Sequence, residues 1–167
     1  MRPADDVPLV EAHRGHSGAL QSFVCATPSR PQYRGGRGTF HPCPSELEVQ
    51  SHLRSLRLPL PESEALIVGI DDGAVAAACH FGYDSDGENV IVFAIGVAPT
   101  HQRRGLGTRL IEYVLRSVES EGLDVLARID ERNAPSIRLF SAAGFVDTGI
   151  RTSTLSVWER PSAAGPG

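Results

Sequence analysis

The residues best suited to chemistry lie together in Gln102-Arg103-Arg104-Gly105-Leu106-Gly107-Thr108. They follow a nearly continuous apolar run, 90–97, and open a stretch with helical periodicity, 106–121. The first turn of a helix presents N–H groups with no intrahelical partner and the positive end of the macrodipole. Glycines there let a phosphate reach those groups without a Cβ in the way. Arg103 and Arg104 add positive charge at the rim, so a pyrophosphate is a natural guest. A Walker loop is excluded, because that motif needs a Lys and all 16 basic residues are Arg. A Rossmann fingerprint fits poorly, because Leu110 stands where the third glycine belongs. Taken alone, this G-x-G is equally two glycines that let a helix pack at its start.

Two further motifs flank it. Ile95-Gly96-Val97-Ala98-Pro99 precedes it, and Asn133-Ala134-Pro135-Ser136-Ile137-Arg138-Leu139-Phe140 with Ala143-Gly144-Phe145 follows. Gln102 to Gly107 resembles the Q/R-x-x-G-x-G/A signature of the GNAT superfamily of N-acetyltransferases. The upstream segment resembles the end of that family's fourth strand, and the downstream one its N-x-x-S-x-x-L-Y-x-x-x-G-F segment. The motifs cover about residues 90–146, in family order and spacing. The resemblance implies acetyl-CoA as cosubstrate and no metal. It implies that the fourth strand splays from the fifth and pairs with pantetheine through the main chain of Ile95, Gly96 and Val97. Gln102 and the N–H groups from Arg103 through Arg104, Gly105, Leu106 and Gly107 to Thr108 would hold the pyrophosphate. Asn133 would bond the pantetheine arm, with Ser136 and Phe140 near the thiol. The bland readings are a turn residue for Asn133 and plain core for Phe140.

The implied reaction is attack of a neutral primary amine on the acetyl thioester in a ternary complex. It needs alignment, an oxyanion donor (the Val97 backbone N–H), a base and an acid for the leaving thiolate. Here the chain departs from the family. The place of a frequent Glu base is Ile91, and that of a frequent Tyr acid is Phe140. Glu88 and His80 are the nearby candidates for a base; a solvated turn carboxylate and a satisfied strand histidine are the competing readings. Two functions stay open: an N-acetyltransferase for a small-molecule or peptide amine, or a catalytically weak acyl-CoA-binding regulatory or partner protein.

The elements that must position these residues follow from patterning. Strands are expected at 7–12, 65–70, 75–83, 90–97, 125–129, 145–148 and 154–158, and helices at 17–26, from Ser45, at 106–121 and from Pro135. Ser45 with Glu48 suggests a capping box, with Leu47, Val49, Leu53 and Leu56 inward. Asp71-Asp72-Gly73 signals a hairpin. Between 28 and 44, four prolines and three glycines argue against a regular element and for a loop that shapes the acceptor pocket. The order is that of one mixed α/β domain over 7–160, with about six or seven strands and four helices, between loose ends at 1–6 and 161–167.

Composition narrows the function classes. With 167 residues, 41% hydrophobic and 22% charged, the chain suits one soluble domain. A net charge of −4 argues against nucleic acid as a main partner. No apolar run suits a membrane span and no signal peptide is evident, so a cytoplasmic location is expected. Cys25, Cys43 and Cys79 contain no C-x-x-C and suit reduced thiols. His13, His16, His41 and Cys43 match no zinc spacing and suit unrelated surface residues. A monomer or homodimer is expected.

Overall fold

The computed structural model describes residues 6–26, 34–35, 39–40 and 44–162. Seven strands form one mixed sheet: β1 (Leu9–Glu11), β2 (Glu64–Asp71), β3 (Ala74–Tyr83), β4 (Asn89–Val97), β5 (Asp124–Asp130), β6 (Val146–Thr152) and β7 (Leu155–Arg160). Their spatial order is β1-β2-β3-β4-β5-β7-β6. Only β4 and β5 run parallel, joined through helix α3 (Leu106–Val118). The helices α1 (Ser17–Gln21), α2 (Pro44–Ser55) and α4 (Ala134–Ala142) complete the expected order.

Two apolar clusters hold the helices to opposite faces of the sheet. Leu106, Leu110, Ile111, Val114 and Val118 form the buried stripe of α3. They pack with Ile67, Cys79, Val90, Val92, Val125 and Phe140. Leu110 and Val114 are both 0% exposed, and full burial of each contributes about 1.5–3 kcal/mol. On the other face, Leu20, Phe23, Cys25 and Leu53 from the α1–α2 side cover Leu66, Val68, Ala78 and Ala94. Asp72 and Gly73, with φ of 51° and 75°, make the tight β2–β3 hairpin that the Asp-Asp-Gly signal predicted.

β4 changes phase partway along. Val90 and Val92 face α3, whereas Ala94 joins the α1–α2 cluster. The cause is a bulge: His80 pairs with Ala94 and Phe81 with Val92, which leaves Phe93 as the extra residue. Beyond it β4 also leaves β5, whose parallel pairing runs only from Asn89↔Asp124 to Val92↔Ala127.

Several expectations are corrected. The first helix ends at Gln21, not at 26. The amides of Cys25 and Ala26 turn outward to the Gln50 side-chain carbonyl, at 3.0 and 3.1 Å, instead of back along a helix. α2 begins at Pro44, so Ser45 lies inside its first turn and is not the cap. Its inward residues are Glu46, Val49 and Leu53, about one turn apart, which leaves Leu47 46% exposed. Arg34–Gly35 pairs antiparallel with Thr39–Phe40, a two-residue ladder where a featureless loop was expected. Near the C-terminus, the Ser162 N–H donates to Asp124 at 2.7 Å. The ends 1–5 and 163–167, the rest of 28–44 and the thiol of Cys43 lie outside the described residues. No helix among the described residues is long and apolar enough to cross a membrane.

Candidate active site

A cleft of about 1160 Å³ opens where β4 and β5 part. α2 lies on one side, α4 on another, and the start of α3 closes one end. Alternation along the antiparallel β3–β4 ladder decides which main-chain groups face it. Ala98 N–H donates to Ala76 at 2.8 Å, so Ala98 and, two residues back, Gly96 turn their polar groups to β3. Ile95 and Val97 turn theirs to the splay. The Val97 carbonyl there accepts from Gln102 Nε2 at 3.0 Å. Gly96 is therefore not a polar contact of the cleft, and its importance is steric. A Cβ on it would lie 2.8 Å from Cys25 Sγ and 2.9 Å from Cys25 Cβ. Glycine lets segment 23–26 lie on the strand and form part of the wall.

The loop from β4 to α3 is shaped for an anion. Arg103 and Gly105 have left-handed φ of 63° and 80°, and Gly105 is the N-cap of α3. No side chain caps this helix and its first turn carries no acid. Arg109 N–H makes the first backbone bond, to Gly105, so the amides of Leu106, Gly107 and Thr108 precede the ladder. The Leu106 side chain is 1% exposed and goes to the core, leaving its amide for the cleft. Arg103 lines the cleft; Arg104 is exposed outside it. Neither makes an ion pair with a described residue. Gln102 works as a brace, its amide also reaching the Cys25 carbonyl at 3.4 Å. His101 braces the same loop, with Nε2 2.8 Å from Asp71 and Nδ1 2.8 Å from Thr100 Oγ1.

Asn133 is placed by the turn that ends β5. Asp130 accepts from the Arg132 backbone and guanidinium at 2.8 to 3.0 Å, which holds its carboxyl below the usual range. The Asp130 carbonyl then accepts from the Asn133 N–H at 2.9 Å. Asn133 Oδ1 caps α4 by accepting from Ser136 N–H at 3.2 Å. Its Nδ2 faces Ser45 Oγ across the cleft at 3.5 Å. Asn133 therefore caps α4 and also lines the cleft. Ser136 lines the cleft half-buried. Phe140 borders it too, yet is 3% exposed and edge-on to Phe145 with ring centres 5.0 Å apart, as core packing requires.

The two candidate bases sit away from the cleft wall. Glu88 is exposed in the β3–β4 turn, where its N–H donates to Asp84 at 2.9 Å. His80 is 3% exposed on the α2 face of β3, beneath the wall. Ile91 is not a lining residue. The wall itself carries His52 of α2, a residue the patterning did not single out. Its one local signal is helical spacing from Ser45 and Val49, which also line the cleft. Arg128 and Arg138 are further lining cations not foreseen. Among the described residues, no group of His, Cys, Asp or Glu is arranged to hold a metal ion.

The chain matches the family model "Acetyltransferase (GNAT) family" over residues 31–145. The chain belongs to the GNAT family. It is 40% identical over 72 residues to mycothiol acetyltransferase of Frankia casuarinae, covering 42% of this chain and 20% of that protein. It is 35% identical over 65 residues to the ribosomal protein bS18 alanine N-acetyltransferase of Salmonella typhimurium, covering 38% and 44%. The chain thus matches less than half the length of these relatives. Its fold superposes with a TM-score of 0.61 on a Salmonella typhimurium chain described as an acetyltransferase and solved with its cofactor acetyl-CoA. That pair shares 19% identity and covers 97% and 98% of the two chains.

Proposed function

We propose that this GNAT chain transfers the acetyl group of acetyl-CoA to a primary amine, by direct attack in a ternary complex. One observation carries the reading. The unpaired edge of β4 and the uncapped N-terminus of α3 share a single cleft. An amide-rich arm ending in a pyrophosphate needs those two surfaces, a strand edge for the amides and helix N–H groups for the phosphates. Arg103 supports the fit, as a cation on the wall with no ion pair among the described residues.

The chain's own groups then divide the work. Ile95 and Val97 offer main-chain partners to the arm, and Leu106, Gly107 and Thr108 their amides to the pyrophosphate. Asn133 Nδ2 offers a donor from the opposite wall. The Val97 N–H lies on the splay side, the position for stabilising an oxyanion on the acetyl carbon. The acceptor would enter past α2, whose Glu46, Glu48, Val49 and His52 line that wall. A small-molecule amine and a peptide N-terminus both suit this reading; the relatives are named for one or the other.

Calorimetry and thermal melts with acetyl-CoA test the first half. Binding of acetyl-CoA and CoA with a rise in melting temperature, and none with NAD, is expected. Thiol release with a panel of small amines and alanine-starting peptides tests the second. No heat and no shift at millimolar acetyl-CoA would remove the reading.

A further inference from the structure

We propose that His52 is the general base of this acetyl transfer, held in place by a hydrogen-bonded relay from Glu64 through His80. The proposal rests on the amine-transfer reading above. His80 Nε2 lies 2.7 Å from Glu64 Oε1, and His80 Nδ1 lies 2.8 Å from His52 Nε2. Three consecutive elements, α2, β2 and β3, supply the three side chains. The β2–β3 register pairs Glu64 with Gly82 and Leu66 with His80, so Glu64 and His80 are diagonal neighbours on one face. Gly82 gives Glu64 room, since a Cβ there would lie 3.1 Å from Glu64 Cγ. Phe93, the bulged residue of β4, packs on the His80 ring with centres 4.8 Å apart and also lines the cleft.

The two contacts admit one consistent set of neutral tautomers. A carboxylate only accepts, so His80 carries its proton on Nε2 and donates to Glu64. His80 Nδ1 is then an acceptor, and His52 donates to it from Nε2. That leaves the His52 Nδ1 lone pair, which has no partner among the described residues. The other described histidines are placed differently. His101 has both ring nitrogens engaged, and His13 and His16 each use Nδ1 on a local backbone amide. His52 combines one tethered nitrogen, one open nitrogen and a place on the cleft wall.

The electrostatics suit a base. Burial holds both imidazoles below the ordinary histidine value, more strongly than Glu64 raises them. His52 therefore keeps its lone pair at neutral pH. The charged group acting on it is Glu64, through His80, while Glu48 lies exposed one turn earlier on α2. β4 contributes Phe93 and no charge. Once His52 takes a proton, its Nε2–H still donates to His80, whose other side rests on the Glu64 carboxylate, and the imidazolium is stabilised.

The step balances as follows. Nδ1 of His52 takes one proton from the acceptor ammonium. The freed amine attacks the acetyl carbonyl carbon, and its C–N bond forms as the C–S bond breaks. A second amine proton passes to the departing thiolate, giving amide and CoA thiol. His52 returns its proton to water.

The test uses the full chain and whichever panel amine it acetylates fastest. His52→Gln keeps a donor for His80 but has no basic nitrogen. It should lower kcat by about 10²- to 10⁴-fold and leave the acetyl-CoA Kd within about twofold. The wild-type kcat should show an ascending limb below about pH 6.5, separate from the amine's own, and His52→Gln should lack it. Glu64→Gln keeps an acceptor for His80 but removes the charge, so it should move that limb to lower pH. A merely structural role would leave the limb in place. Wild-type kcat and limb in a folded His52→Gln would overturn the base assignment, and an unmoved limb in Glu64→Gln would overturn the relay. A wild type that binds acetyl-CoA yet acetylates no amine would instead bring down the transfer reading, and this assignment with it.

Discussion

Gly107→Glu separates binding from folding at the start of α3. A Cβ on Gly107 meets Leu139 Cδ2 at 3.4 Å and Val97 Cγ2 at 3.8 Å, contacts a small shift of the Leu139 side chain relieves. Replacing a helical glycine recovers roughly 0.5–1 kcal/mol. A carboxylate in the first turn gains about 0.3–1 kcal/mol from the helix dipole. Folding stability should therefore be kept or rise, by up to about 2 kcal/mol. Binding should change far more. A carboxylate about 4 Å from one phosphate charge, at an effective dielectric near 20, is repelled by about 4 kcal/mol before screening. That is close to three decades in Kd, and the loss of room adds to it. Urea denaturation and acetyl-CoA calorimetry on the same preparation check both parts. A folded variant whose Kd stays within threefold of wild type would refute the assignment of the α3 amides to the pyrophosphate.

Three other perturbations probe the frame around the cleft. Gly96→Ala forces a Cβ to 2.8 Å from Cys25 Sγ and should cost about 1–3 kcal/mol in urea melts; a change below about 0.5 kcal/mol would show that segment 23–26 does not press on β4. Asn133→Ala removes the α4 cap and should cost about 0.5–2 kcal/mol, together with weaker acetyl-CoA binding by calorimetry; stability lost with unchanged Kd would leave Asn133 as a cap alone. Stability should also fall as pH drops below about 6.5. Burial lowers the folded-state values of His52 and His80, so in that window the unfolded chain binds more protons. Urea midpoints from pH 7 to 5 should decline in the wild type and decline less in His80→Gln, and equal slopes would contradict the burial argument.

The sequence by itself determined what local rules govern. Loop residues 102–108 open an amphipathic helix, and its amides point outward wherever the helix packs, because an N-terminus cannot satisfy its own donors. Asp72-Gly73 makes its hairpin for a similarly local reason, and Asn133 caps α4 three residues before Ser136. The element order followed from these signals and the apolar periods.

Tertiary structure decided the rest. The run 90–97 is apolar throughout, so nothing in it marks Phe93 as the bulge that reverses which residues face α2. Segment 23–26 carried an apolar period, but the amides of Cys25 and Ala26 found a better partner in Gln50, on a helix formed later in the chain. His52 shows the limit most clearly. Glu64, His52 and His80 carry no spacing rule, since a strand register and a helix laid across it bring them together. Helix starts and turns arise from short-range hydrogen bonds and backbone sterics, which adjacent residues encode. A side-chain relay across three elements depends on register, bulge and packing, which exist only once the sheet has closed against α2.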